Sequence, residues 1–381
     1  MANVQSESAL EQKIERIIVR SRHQGAYSDE LGAARCASCI TFHDYMAMCL
    51  YDEEYGYYRQ GEIRIGKEGD FYTSSAVGAG LAAVIASYVM DYAKEGPQPL
   101  TFVEWGAGTG RLSAQIAAEW KKRLPLWREK FRMKLVEDYP PHAEAARLHL
   151  PHANCLTSRE ALADAEGTLQ APAVILANEL LDAFPVHRIQ RMGGHLYELG
   201  VAVVNGHFRY VRMAMTNPDF RKWLHRDGIR LREGQITELC PGAGRWVREI
   251  SGMMKRGRVI IIDYGYDAEE YSAAFRMDGT LMCYYRHMAS DQPFQRPGQQ
   301  DMTAHVSFSY LKAEARNAGF SVIFDGSQKQ FMVNHGIMEL LIEHRDSNPF
   351  SEEARSNRSL RQLLLSDGIG EAFRVLILEK D

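Results

Sequence analysis

From Leu100 onward the chain alternates short apolar runs with stretches in which apolar residues recur every three or four positions. Strand-length apolar runs separated by helical periodicity are the pattern of a sheet whose parallel strands are joined by crossover helices. Seven strands are expected, over 100–105, 132–137, 153–157, 173–177, 259–264, 319–325 and 372–379, with helices over 111–122 and from about 307. The run Val259-Ile260-Ile261-Ile262 has no polar face, as expected of a strand buried on both sides. About 80 residues separate the fourth and fifth strands, more than one crossover helix needs. They hold a hairpin, in which 195–204 and 207–213 alternate around Asn205-Gly206, a pair suited to a two-residue turn with φ > 0 at both positions. Before residue 100 the pattern reads as helical and irregular. A helix over 8–21 is followed by one capped by Thr41, with Asp44 three residues on, and by a small-residue helix over 77–92 that Pro97 and Pro99 end. The expected architecture is one doubly wound α/β sheet in a 99–381 domain, with insertions at 186–250 and 266–306, and a helical N-terminal region (1–98) packing over the ligand site.

Composition narrows the partners. Apolar residues at 45% and charged residues at 25% match globular proteins, which sets aside disordered and fibrous classes. A balance of 45 Lys+Arg against 49 Asp+Glu removes the basic excess of nucleic-acid binders. Six cysteines in 381 residues are too sparse for a disulfide framework, so reduced thiols in a cytoplasmic setting are expected. No apolar run approaches the ~18 residues of a membrane span. The amphipathic run 10–20 carries Glu11 and Glu15, unlike an acid-poor transit peptide.

The most informative stretch is Glu104-Trp105-Gly106-Ala107-Gly108-Thr109-Gly110, where the first strand turns into a helix. Glycines there let the backbone turn tightly and approach a ligand that a Cβ would exclude. A dinucleotide fingerprint needs G-x-G-x-x-G, and Arg111 breaks that spacing, which puts a nicotinamide-dependent oxidoreductase well behind. An acid two residues before G-x-G-x-G instead resembles the first motif of class I S-adenosylmethionine-dependent methyltransferases. In that motif Glu104 would sit near the cofactor's ammonium, with Gly106, Gly108 and Gly110 against its amino-acid portion. Glu137 ends the second strand, where a carboxylate can accept both ribose hydroxyls of an adenosine. The fourth strand runs into Asn178-Glu179-Leu180-Leu181-Asp182-Ala183-Phe184-Pro185. Spaced three apart, Glu179 and Asp182 would share a face on a helical turn, either as an acceptor-orienting pair or as an acidic helix start.

Taken together these pieces resemble the MidA-like family, proteins related to the mitochondrial arginine methyltransferase that assists assembly of respiratory complex I. The matching stretches run nearly end to end: Tyr55-Gly56-Tyr57-Tyr58, Gly69-Asp70-Phe71-Tyr72-Thr73, the glycine turn, the Asn178–Val186 stretch, Asp263-Tyr264-Gly265, Gln300-Asp301-Met302-Thr303-Ala304-His305-Val306, Gln328-Lys329-Gln330-Phe331 and Gly336. The resemblance implies a class I methyltransferase fold, S-adenosyl-L-methionine as methyl donor, and symmetric dimethylation of an arginine on a protein substrate, a respiratory complex subunit being one such partner. It adds Asp70, Thr73 and Asn178 to the cofactor-contacting residues. The chain departs from the family at Ser74-Ser75-Ala76-Val77-Gly78-Ala79-Gly80 and at Asp138-Tyr139-Pro140-Pro141.

An arginine acceptor sets a clear requirement. Guanidinium has a pKa above about 12 and no free lone pair, so a carboxylate must hold it and localise its charge away from the attacking nitrogen. Glu179 and Asp182 are the candidates, and His305 is the candidate proton relay against the alternative of a structural histidine. Asp263 reads as an acceptor that fixes a loop. Cys36-x-x-Cys39 with His43 and Cys49 lacks a second pair at zinc spacing, so no metal is expected. Arg188, Arg191, Arg209 and Arg212 lie on or beside the hairpin and read as a solvated basic face. The competing class is a non-catalytic assembly factor that keeps the fold.

Overall fold

The computed structural model describes residues 8–60, 79–96, 99–163, 172–341, 351, 357–358, 360–361 and 373–381. The chain divides into two compact units, one from 63–181, 245–265 and 312–381, the other from 1–62, 182–244 and 266–311.

The first unit holds the expected sheet. Its seven strands are β1 (Leu100–Trp105), β2 (Phe131–Val136), β3 (Asn154–Leu156), β4 (Ala173–Asn178), β5 (Gly257–Tyr266), β6 (Ser321–Ser327) and β7 (Phe373–Lys380). They lie in the order β6-β7-β5-β4-β1-β2-β3. Strands β1 to β5 pair in parallel, and β7 runs antiparallel between β5 and β6. In β5, Ile260 faces Leu176 on one side and Ile377 on the other, which is why that run carries no polar residue. The chain steps outward from β1 to β3 and then returns to the far side of β1 with β4. That reversal opens a crevice at the carboxyl ends of β1 and β4, the place where open α/β sheets bind ligands.

The helix Arg111–Arg123 follows β1 and is fixed by Trp120, which is fully buried. Its ring stacks on Phe131 of β2 with centroids 4.2 Å apart, meets Phe102 of β1 edge-on at 5.5 Å, and donates its Nε1–H to Ala86 O at 3.1 Å. The third partner belongs to the helix Ala79–Lys94. One indole therefore ties two strands and two helices to a single position, and it sets where the turn before the helix must lie.

The second unit differs from the expected helical N-terminus. The helices Ala9–Arg20 and Phe42–Tyr51 are present, the latter capped as expected by Thr41, whose hydroxyl accepts from the Asp44 N–H at 3.0 Å. Between them lie two strands, His23–Ser28 and Ala34–Thr41. They pair with each other and, at long range, with the two strands of the hairpin, His195–Val204 and His207–Met213. With the hairpin's own pairing, the four strands close into a ring around Cys39, Ala202, Val204, Val211 and Met213. The ring is tight: a Cβ on Gly200 would meet the Ile40 carbonyl oxygen at 2.8 Å. The hairpin turn is as expected, with φ of 53° at Asn205 and 76° at Gly206. The expected insertions therefore assemble with the first 62 residues as a body of their own, in place of decorating one sheet.

Arg188 is a second correction. It is buried, its Nε donating to Glu238 at 3.1 Å and its Nη1 to the Tyr210 hydroxyl at 2.6 Å, so it belongs to the interior and not to a solvated face. Arg191 and Arg209 are exposed. All six cysteines are free thiols. No helix among the described residues is long and apolar enough to cross a membrane.

Candidate cofactor and acceptor site

At the carboxyl end of β1 the chain enters three alternate glycines in the left-handed region, Gly106 at φ 72°, Gly108 at 54° and Gly110 at 71°. Residues with a Cβ pay roughly 1–2 kcal/mol there, which explains the spacing. The turn is pinned to β2, because Gly106 N–H and Ala107 N–H both donate to the Val136 carbonyl, at 2.9 and 3.0 Å. Gly110 is also a packing requirement, since a Cβ would lie 3.0 Å from that of Ala146 and 3.1 Å from the Ala146 Cα.

Glu104 does not face outward from the turn. It is buried, and its Oε2 accepts both the N–H of Ser113, at 3.1 Å, and the Ser113 hydroxyl, so the carboxylate braces the first turn of the following helix. Burial pushes its pKa up to about 7, with the Ser113 hydrogen bonds opposing and the charge of Glu137 assisting. Glu137 lies at the end of β2, half-buried, with Oε2 accepting the Gly108 N–H at 2.8 Å and Oε1 the Tyr139 N–H at 2.9 Å. Glu137 thus ties the end of β2 to the glycine turn.

Asn178 ends β4, and Glu179 follows it at φ 50°, a left-handed conformation unusual for a residue with a side chain. Its N–H donates to Ile262 O of β5 at 2.8 Å. Leu181 N–H is taken by Asp263 Oδ2 at 2.8 Å, while Asp263 Oδ1 accepts from Tyr264 N–H at 2.9 Å, so Asp263 fixes this loop as expected. The expected helical turn carrying Glu179 and Asp182 on one face is therefore absent: residues 179–184 form bends and a turn, and the left-handed Glu179 breaks any right-handed helix at its start. The segment does lie against the glycine turn, because a Cβ on Gly106 would come 2.8 Å from Leu180 Cδ1. Among the sequence-selected residues, Glu104, Gly106, Gly108, Gly110, Glu137, Asn178 and Glu179 thus converge on one edge of the sheet. Asp70 and Thr73 lie outside the described residues.

Asp182 and His305 belong to the other unit, where Ala304 N–H donates to Asp182 O at 2.9 Å. Asp182 is buried. Burial, with the Arg276 guanidinium nearby, pushes the His305 imidazole down to about 4, so the ring is neutral at pH 7 and a weak proton acceptor. Around this turn stand residues that sequence reasoning missed. Tyr58 donates to Asp301 at 2.8 Å, Tyr51 donates to Ala183 O at 2.8 Å, and the two rings stack with centroids 5.5 Å apart. Burial first, and then the negative charges of Asp301 and Asp182, hold both phenols well above their usual range. Buried carboxylates beside tyrosine faces are chemically suited to a cation. The repeated tyrosines of 55–58 were the available signal.

This geometry, a glycine turn on the switch point of a doubly wound sheet with an acid at the end of the next strand, defines a nucleoside-cofactor enzyme of the class I methyltransferase kind. The sequence profile of a family of candidate S-adenosyl-L-methionine-dependent methyltransferases matches residues 81–324, and the chain belongs to that family, the MidA-like proteins. A candidate methyl transferase from Burkholderia thailandensis, solved bound to S-adenosyl-homocysteine, is similar over 90% of this chain and 88% of its own, with a TM-score of 0.78 and 28% identity. Among curated proteins, the mouse protein named protein arginine methyltransferase NDUFAF7, mitochondrial, is 26% identical over 78% of this chain and 71% of its own. The corresponding Drosophila melanogaster homolog is 26% identical over 74% and 67%. The chain is an S-adenosylmethionine-dependent methyltransferase. Its residues fit that cofactor: three glycines at positive φ form the turn at the carboxyl end of β1, and the Glu137 carboxylate at the end of β2 lies against that turn through the Gly108 N–H.

Proposed function

We propose that the enzyme methylates a protein side chain, arginine being the acceptor that its relatives' names favour. Gly106, Gly108 and Gly110 hold the amino-acid portion of the cofactor, Glu137 holds the ribose, and Glu104 sets the turn from beneath through Ser113. Asp70 and Thr73 complete the cofactor contacts. The bound cofactor supplies an electrophilic methyl group on sulfur. Glu179 orients the acceptor's positive charge, and Asp182 is the second carboxylate of the sequence pair. His305 serves position more than proton transfer, given its neutral, weakly basic ring. A client subunit of a respiratory complex and a cytoplasmic setting fit this reading. The observation that carries it is the left-handed glycine turn at the β1/β4 reversal, pinned to β2 and in contact with the Glu179 segment.

Isothermal titration with S-adenosylmethionine and S-adenosyl-homocysteine, with NADH as control, tests the cofactor assignment. Micromolar binding of the sulfur pair alone is expected, and Gly108→Val is expected to abolish it while the fold survives. Absence of binding to the wild-type protein would sink the enzymatic reading and favour a scaffold that only keeps the fold.

A further inference from the structure

The family resemblance counts Asn178 among the cofactor contacts, but its surroundings indicate a different task. Its Nδ2 donates to Glu179 Oε1 at 3.2 Å. Only an N–H can face a carboxylate, so Glu179 fixes which end of the amide is which. That leaves Asn178 Oδ1 pointing the other way, and this oxygen is buried with no hydrogen-bond partner. Buried polar atoms are almost always paired, so an orphan acceptor at the carboxyl end of β4, next to the crevice, calls for a donor brought by a ligand. The amide cannot rotate to relieve itself without setting its oxygen against the Glu179 carboxylate. Glu179 in turn is held in a left-handed conformation by its N–H bond to Ile262 and by the Leu181–Asp263 bond that follows.

We infer that Asn178 Oδ1 binds the methyl acceptor, taking an N–H of the attacking atom, and that the acceptor is therefore a nitrogen. This rests on the methyltransferase reading and deepens it. A carboxylate or thioether acceptor has no hydrogen to give to this oxygen, and a hydroxyl or thiol has only one, which the base must take, whereas a guanidinium, amide or neutral amine nitrogen carries a second. With one N–H held by Asn178 and the charge drawn toward Glu179, the nitrogen lone pair points at the methyl carbon. The N–C bond forms as the C–S bond breaks, its electron pair going to sulfur, which becomes a neutral thioether. The nitrogen's surplus proton passes to the Glu179 carboxylate and from there to water. Charge balances, because sulfonium and guanidinium give thioether, methylguanidinium and one proton.

Two readouts test this. S-adenosyl-homocysteine affinity is measured by calorimetry for the wild type, Asn178→Ala and the similar-volume Asn178→Leu, so that binding also reports a folded site. Methyl transfer from tritiated S-adenosylmethionine is then followed into a lysate of source cells deleted for the gene, and the label is identified after hydrolysis. The expected result is homocysteine-product affinity within about threefold of wild type, transfer reduced on the order of 10²-fold, and label recovered as an N-methylated amino acid. Parallel loss of cofactor affinity and transfer would make Asn178 a cofactor ligand and overturn the inference. So would unchanged transfer, or label in a base-labile methyl ester, an O-methyl ether or an S-methyl product. Failure of the wild-type protein itself to bind would instead remove the methyltransferase reading, and this inference with it, before any variant is compared.

Discussion

The buried Glu104 carboxyl makes the protein's stability depend on pH in an unusual direction. An exposed glutamate has a pKa near 4.5, whereas burial pushes this one to about 7. Between those values the folded protein keeps a proton that the unfolded chain has released, so stability falls as pH rises through the window. A carboxyl displaced that far contributes a difference of about 3 kcal/mol between pH 4 and pH 8. Glu104→Gln removes the titration, keeps the shape and retains an acceptor oxygen for the Ser113 N–H and hydroxyl. Urea denaturation of both proteins at several pH values between 4.5 and 8 is the assay. The variant gains on the wild type as pH rises, with most of the gain between pH 5.5 and 7.5. A stability difference that stays constant across that range would refute the assignment of the raised pKa to Glu104. Isothermal titration adds a second reading: if the charge attracts a cationic cofactor, affinity rises with pH in the wild type and stays flat in Glu104→Gln.

Other expectations follow from the same geometry. Gly110→Ala puts a Cβ at a φ of 71° and 3.0 Å from Ala146 Cβ, and should cost about 2–4 kcal/mol in denaturant unfolding. Glu179→Gly removes the left-handed strain and should raise stability by about 1 kcal/mol, while methyl transfer falls; a drop in stability would mean that the carboxylate holds the loop. His305, pushed down to about 4 by burial and Arg276, should remain neutral from pH 8 to pH 5 in a proton NMR titration. Its depressed pKa lends stability that is present above about 6.5 and lost as pH falls toward 4, so His305→Gln should flatten the acid side of the stability profile.

The sheet was legible because each of its strands announces itself locally. The all-apolar Val259–Ile262 run and the Asn205-Gly206 hairpin need no knowledge of distant residues. The strands at 23–28 and 34–41 do: with Gln24, Gly25, Ser38 and Cys39 they carry no alternating apolar face, and they become strands by pairing with a hairpin some 160 residues later. Arg188 escaped for the same reason, its partner Glu238 lying fifty positions away. At the site, the glycine turn and the acid after β2 were readable from spacing alone. The left-handed Glu179 was not, since nothing in an Asn-Glu-Leu-Leu-Asp string distinguishes a helical start from a strained bend until Ile262 and Asp263 are seen to take its N–H groups. Glu104 was legible as an important acid, but its direction was set by Ser113 on the far side of the turn.

The antiparallel strand β7 has a bearing on how the molecule comes into being. It is the last strand of the sheet to be synthesised, yet it lies between β5 and β6 and closes Gly257–Tyr264 against Lys380–Phe373. Until it arrives, the growing chain holds β5, with its apolar Val259–Ile262 run, open on one flank, and β6 with no neighbouring strand of this sheet. Such edges recruit other chains, and pairing across more than a hundred residues is slow to form. Yield in the cell should thus be governed by how long these flanks wait, making chaperone supply and growth temperature, ahead of native stability, the variables that decide how much enzyme is recovered.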